Sequence, residues 1–485
     1  MIYRFGAFTL DSHTRRLTRG EAPVRLADRH VDVLLRLLVR PGEVVGKDAL
    51  VEAAWPDVAV TDNSLEQAIS MVRKAIGGER APRAHAAPGV RIETVPRRGY
   101  RFAGDVTCDA SKVSDEQLDA LLAPHRAWLE GRAALETLSV DKAASAERAF
   151  RHVLGAVPDH ASAHVGIANA LMFRFEATRI DERPDVAAVA AALPHARDAC
   201  RVQPAWAEAW ATLGFVLHRA GQLDQGIAAN QRAVELEPDN WRHQLRLAFV
   251  CWGEARLRAA RRTLQLMPGL ALAHFLAATV HVARQAFDAA DQELAAGAAA
   301  QDAQNEAAGF GAVGLHWVSG LLRLRDGDTA AAVRHFEREL AFESSGHLYA
   351  RECSAATWYA KGAAAFHEHD VRAAAAAFAE ALRRVPRHPL ALAAHPEGDL
   401  SGDDSFTERL RAALERGAHV DVAMARAVRQ VAIRETPDPA ILTTALQEAP
   451  PGPSGWYLPI EPMLRPLRDP ARWNATLALL RSRAG

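Results

Sequence analysis

The sequence predicts a mainly α protein, with an α+β head over residues 1–105 and a long α-solenoid of paired helices behind it. Three observations carry that reading. In the head the hydrophobic period switches from two to 3.6 and back again, the signature of strands, then helices, then a hairpin. Behind it an alanine-rich helical chain is punctuated by prolines, of which Pro204 and Pro238 stand 34 residues apart, a period typical of stacked helix-turn-helix units. The charge divides with the parts: residues 1–105 hold 17 Lys and Arg against 13 Asp and Glu, whereas the remainder holds 41 against 46. A basic head on an acidic body fits a polyanion-binding module joined to a protein-facing one.

The bulk numbers exclude several classes. With 49% hydrophobic and 24% charged residues the chain is neither disordered nor fibrous. Its 485 residues exceed what one core holds, so more than one domain is expected. Cys108, Cys200, Cys251 and Cys353 lack paired spacing, which argues against a disulfide framework or zinc site and suits a reducing cytoplasm. The N-terminus has no charged-then-apolar leader. The uncharged run Thr263–Ala283 contains Pro268-Gly269 and reads as parts of two buried helices, so no membrane span is expected.

Within the head, Ile2–Leu10 and Arg16–Leu26 alternate as strands, with Arg19-Gly20-Glu21 between strands. A first helix begins after Asp28, gathers Val31, Leu34, Leu35, Leu37 and Leu38 on one face, and stops at Pro41-Gly42. A second, Lys47–Trp55, ends at Pro56, with Trp55 assigned to the core. A third starts at the capping residues Thr61-Asp62-Asn63 and runs to Gly77-Gly78. Val90–Val95 and Tyr100–Ala103 then form a hairpin tipped by Pro96-Arg97-Arg98-Gly99. Strands, three helices and a basic hairpin make the plan of a winged helix-turn-helix.

The segments LVEAAWPDVAVTDNSLEQAISMVRKAIGG and IETVPRRGYRF strengthen it. Trp-Pro after the second helix, Arg73-Lys74 late in the third and Gly-Tyr-Arg-Phe in the wing occur together and in order. Residues 1–105 thereby resemble the effector domain of OmpR/PhoB-type response regulators, in the subgroup that carries it N-terminally. The resemblance implies a DNA-binding domain, with the helix at about 61–77 in the major groove and the wing at about 90–103 in the minor groove.

The residues offer the chemistry for it. Leu65, Ile69, Val72 and Ile76 form an inward seam. The other face carries Asn63, Ser64, Gln67, Ser70, Met71 and Lys74. Amides and hydroxyls read base edges and cations meet phosphate: Gln67 suits adenine, Met71 a thymine methyl, and Lys74 the backbone. Arg73, beside the seam, is a further phosphate candidate. Arg97 and Arg98 suit a narrow, strongly negative minor groove. The competing reading of each is a solvated helix face or turn; the combination of helix and wing favours DNA.

Residues 106–126 read as a short polar linker that turns helical. Beyond it, residues 207–240 (AEAWATLGFVLHRAGQLDQGIAANQRAVELEPDN) carry Trp210, Leu213-Gly214, Leu217, Gly221, Ala233 and Pro238 at tetratricopeptide spacings. Residues 355–388 match through Trp358, Gly362, Phe378, Ala381 and Pro386, and 313–346 through Gly320, Gly327, Ala332 and Phe336. Residues 127–160 keep Ala146, Phe150 and Pro158. Tetratricopeptide-like repeats are therefore expected over 127–400, with a helical extension or cap over 401–485. Groove-facing positions of the 207–240 repeat are Glu208, Ala211, Phe215 and His218.

Phosphate-loop, nucleophile-elbow, dinucleotide and zinc-protease motifs are missing from the sequence. The nearest metal-like run, His367-Glu368-His369-Asp370, falls at a turn, where adjacent residues diverge. No catalytic residue, metal or cofactor is expected. The expectation is a cytoplasmic, sequence-specific transcription regulator that is not an enzyme. Its partners would be double-stranded DNA, a protein or small-molecule effector on the repeats, and a second copy in a homodimer. The alternative is a tetratricopeptide scaffold whose winged helix contacts protein.

Overall fold

The computed structural model describes residues 1–55, 62–77, 90–109, 122–131, 140–181, 183–303, 312–345, 347–395 and 419–485. They form two compact units, Met1–Gly131 with Ala149–Ala163, and Arg132–Arg148 with His164–Gly485.

In the head, each of the two alternating patches folds as its own hairpin. β1 (Ile2–Phe5) pairs with β2 (Phe8–Asp11), and β3 (Arg16–Arg19) with β4 (Ala22–Val24). Helices α1 (Asp28–Leu38), α2 (Lys47–Ala54) and α3 (Asp62–Gly77) follow, with the short strand β5 (Val44–Val45) between the first two. β6 (Arg91–Val95) and β7 (Gly99–Ala103) form the wing, in a three-stranded sheet of order β5-β7-β6. Phe5, Leu34, Leu37, Leu50, Leu65, Val72 and Phe102 fill the core, and Trp55 is buried with them.

One boundary is corrected. The expected linker from 106 begins with β8 (Val106–Asp109), which lies antiparallel to β1 with Val106 opposite Phe5. It completes a five-stranded sheet of order β4-β3-β2-β1-β8. A four-residue strand with one strongly apolar residue is invisible to periodicity; its pairing supplies what its composition lacks. Residues 122–131 are helical.

The second unit stacks helix pairs. After helices Ala161–Thr178 and Val186–Val202 come five: Ala207–Arg219 with Leu223–Leu236, Trp241–Val250 with Gly253–Leu266, Ala271–Ala283 with Phe287–Ala303, Leu315–Asp326 with Thr329–Ala341, and Ala350–His367 with Val371–Arg384. One packing feature recurs in register. A Cβ on Gly320 would lie 2.3 Å from the Phe336 ring, and on Gly362 2.5 Å from Phe378. On Gly214 it would lie 2.0 Å from Asn230. In each case the large residue follows sixteen positions later, on the second helix of the pair. The glycine gives the room that the large side chain fills, which fixes the approach of the two helices. The turn between helices holds a left-handed residue in four of these pairs: Gly221, Gln285, Gly327 and His369. Asp328 and Asp370 then cap the second helices, accepting from the Ala331 and Ala373 amides at 2.9 Å.

These bonds account for the metal-like run. His369 is the left-handed turn residue and Asp370 the cap. His367 Nε2 lies 3.1 Å from the Pro462 carbonyl oxygen. Among the described residues no helix is long and apolar enough to cross a membrane, and Thr263–Ala283 is divided between two helices as expected.

The C-terminal residues do more than cap the array. Helices His419–Ala432, Pro439–Glu448 and Pro470–Arg483 pack around the buried Trp473, in one core with Leu257 and Leu276 of the second and third pairs. The segment Trp456–Arg468, however, runs back as a strap along the first helices of three pairs. Trp456 meets Phe275 and Trp317 at ring-centroid distances of 6.5 and 6.1 Å, and Tyr457 meets Trp317 at 6.0 Å. Tyr359 Oη donates to Glu461 Oε1 at 2.5 Å. Aromatic side chains here fill with the chain's own residues part of the surface expected to face a partner.

Candidate nucleic-acid interface

The third helix is held rigidly before it can read anything. Leu65, Ala68, Ile69, Val72 and Ile76 are buried against α1, α2 and β6, as the spacing predicts. The opposite face is solvent-accessible: Gln67, Ser70, Met71 and Lys74 are exposed, and Ser64 is half-buried. Met71 is 49% exposed. Asn63 lies in the first turn of the helix, and its side chain is outside the described residues, as is Thr61.

Arg73 takes a different place from the others. Its Nε donates to the Ile92 carbonyl at 3.0 Å and its Nη2 to Thr94 Oγ1 at 2.8 Å, both on β6. Its guanidinium carbon also lies 5.9 Å from the Tyr100 ring centroid. The side chain thereby clamps the third helix to the wing, with two of its five N–H donors used within the protein.

The wing turns in three residues. Val95 pairs with Gly99, and the Val95 carbonyl accepts from the Arg98 amide at 3.0 Å. Pro96 sets the second position of this turn, and Arg97 takes the third with φ +62°, where glycine or asparagine is usual. Gly99, at φ +133°, has no alternative: a Cβ there would lie 2.0 Å from the Val45 carbonyl oxygen. Arg97 and Arg98 are both exposed at the tip.

Two further wing arginines share one carboxylate in a way that residue order alone does not advertise. Glu93 stands opposite Arg101 in the strand register, and its carboxylate takes Arg101 Nη2 and Arg91 Nη2, each at 2.6 Å. The hydrogen bonds from Arg101 and Arg91 hold the Glu93 carboxyl below its ordinary range. The signal was available as a cross-strand pair once the hairpin register was fixed. Among the described residues of α3 and the wing tip, Lys74, Arg97 and Arg98 are the exposed cations.

Among the described residues no group of histidine, cysteine and carboxylate side chains could hold a metal ion. On the repeats, Glu208 pairs with Arg246 at 2.8 Å on the following pair's first helix. Phe215 and His218 are half-buried, and burial beside Arg219 pushes His218 down to about 4. Ala211, expected to face the groove, is fully buried between helices.

Residues 20–102 match the family described as "Transcriptional regulatory protein, C terminal". The chain is 29% identical over 117 residues to the transcriptional activator CadC of Escherichia coli, a match covering 24% of this chain and 22% of CadC. It is 32% identical over 119 residues to a cholera toxin homolog transcriptional activator of Vibrio parahaemolyticus, covering 23% of this chain and 37% of that one. The match thus spans between a fifth and two fifths of these relatives. The solved DNA-binding domain of E. coli CadC aligns with 22% of this chain and 94% of that one, at 29% identity and a TM-score of 0.19. The matched segment coincides with the three helices and the wing, and residues 20–102 are an OmpR/PhoB-type winged-helix domain, followed in this chain by tetratricopeptide-like helix pairs.

Proposed function

We propose that the chain is a sequence-specific DNA-binding transcriptional regulator, with α3 in the major groove, the wing tip in the minor groove, and the helix pairs receiving the regulatory cue. The observation that carries this reading is the pairing of two exposed surfaces on one rigid frame. One is the polar face Gln67, Ser70, Met71 and Lys74; the other is the arginine tip Arg97-Arg98, and Arg73 bonds the two elements together. A helix face of amide, hydroxyl and methyl-contacting groups reads base edges, and arginines on a turn meet the negative potential of a narrow minor groove. Ser64 and Asn63, in the first turn of α3, are assigned to the same face, and Arg73 to holding the helix and wing in their DNA-binding relation.

A single winged helix contacts few bases, so two copies on neighbouring half-sites are the expected binding unit. The four free cysteines and the regulatory reading together support a cytoplasmic location. The deciding experiment is a genome-wide footprint of the tagged chain beside an Arg97→Ala/Arg98→Ala version. Sharp peaks that share a short repeated motif and vanish in the double variant support the regulator. Peaks that persist unchanged in the variant overturn the wing contact, and absence of peaks under all growth conditions overturns DNA binding.

A further inference from the structure

Where the strap meets helix Leu315–Asp326 it borders a partly open cavity of about 80 Å³. That is room for a few water molecules at ~30 Å³ each, or for one small polar group. One side of the wall is apolar, from Leu324, Ile460 and Leu467. The rest carries three guanidiniums, Arg325 from the helix and Arg465 and Arg468 from the strap, against one carboxylate, Glu461.

That carboxylate is turned to other work. Its Oε1 accepts from Tyr359 Oη and its Oε2 from the Leu464 amide at 2.6 Å. Burial pushes it up to about 7, so near neutrality it carries only part of a charge. Arg325 gives Nε and Nη2 to Asp326, while its Nη1 is buried without a hydrogen-bond partner. Among the described residues neither Arg465 nor Arg468 has a carboxylate within ion-pair distance. Burial, and then the nearby charge of Arg468, push Arg465 down to about 10 against the weaker opposing influence of Glu368 and Glu461. Arg465 also sits at φ +46°, a backbone conformation seldom retained without a use. A cavity wall in which guanidiniums outnumber carboxylates attracts an anion, and guanidinium forks are the side chains best shaped to hold an oxyanion.

We propose that this cavity binds a small oxyanion, the phosphate or carboxylate group of a small ligand, held between Arg325 of the helix pair and Arg465 and Arg468 of the strap. Because its ligands come from both elements, occupancy fastens the strap to the repeats. The inference gives the effector half of the proposed function a site. It does not depend on DNA binding, since its test is read without DNA.

The test is titration of the full chain with inorganic phosphate, and separately with succinate, at an ionic strength matched with chloride, following calorimetric heat and the thermal midpoint. The expected result is a saturable heat and a saturable rise in midpoint for at least one of the two. Both should be lost in Arg465→Gln/Arg468→Gln and weakened at least tenfold in Arg468→Glu, an exposed charge reversal that leaves the packing intact. Phosphate alone would identify a phosphate-bearing ligand, and succinate alone a dicarboxylate. Equal binding by wild type and Arg468→Glu, or no response beyond that of chloride, would overturn the site.

Discussion

The Nε of Arg73 donates to the carbonyl of Ile92 at 3.0 Å, joining the third helix of the winged domain to the first strand of its wing. This bond makes the two DNA-facing elements one body. Arg73→Met is expected to destabilise the head by about 1–2 kcal/mol, since it leaves a half-buried carbonyl and a threonine hydroxyl unpaired. Affinity for a target duplex should fall while the slope of log K against log salt stays the same. A slope reduced by about 0.9 would instead show that Arg73 neutralises a phosphate directly.

At the wing tip, charge and conformation can be separated. Arg97→Ala/Arg98→Ala should reduce the salt slope by up to about 1.8, that is ~0.9 for each phosphate left without its arginine, with circular dichroism unchanged. Arg97→Gly removes the charge but relieves the positive φ, so it should bind less tightly and yet be more stable by about 1 kcal/mol. A chemical-denaturation midpoint that fell in Arg97→Gly would contradict the turn geometry.

On α3, Gln67 is exposed and makes no bond within the domain, so Gln67→Ala should leave the stability within about half a kcal/mol of wild type. Its effect should appear in binding-site selection, as relaxed preference at one position worth about 1–3 kcal/mol. Uniform weakening over all sequences would assign Gln67 to the backbone.

The helix pairs offer a packing test. Gly362→Ala places a methyl group 2.5 Å from the Phe378 ring, and the expected loss is about 1–3 kcal/mol by denaturant unfolding of the full chain. Phe378→Leu in the same chain should recover part of it. Simple additivity of the two losses would mean that glycine and ring do not share the space.

Glu461 gives a pH signature of defined sign. Its folded value, raised to about 7 by burial, lies above the ordinary carboxyl range, so the folded state holds its proton more tightly than the unfolded one. Stability from this group therefore falls as pH rises from about 4.5 to 7 and is flat above. The groups facing it, Tyr359, the Leu464 amide and Arg465, favour the charged form without offsetting burial. Buried His316 and half-buried His367 and His388, all pushed down to about 4 by desolvation, act oppositely, raising stability between pH 4 and 6.5. The measurement is consequently a difference: the thermal midpoint of wild type minus that of Glu461→Gln should decline from pH 5 to pH 7.5. A pH-independent difference would place the carboxyl in contact with water.

Much of this was legible in order and spacing. The seam of α3, the wing and its Arg97-Arg98 tip, and the 34-residue period are local properties, set by turn chemistry and by which residues face inward. Arg73 could not be read, because whether an arginine beside a helical seam reaches solvent or a strand nineteen residues away depends on where that strand docks. The same holds for Glu93, whose role exists only in the hairpin register, and for Val106–Asp109, a strand only because β1 has a free edge beside it.

The sequence by itself determined the two-part organisation, the type of each part and the face of α3 that is left open, since these follow from periodicity, caps and the glycine-to-large spacing within single helix pairs. Only the tertiary structure decided where the C-terminus goes. Arg284 Nε reaches the Ala484 carbonyl across 200 residues at 2.8 Å, and Tyr359 reaches Glu461 across 102. Such pairings carry no local signature, because the closure entropy of a long loop is offset only when aromatic burial and buried hydrogen bonds form together in the folded array.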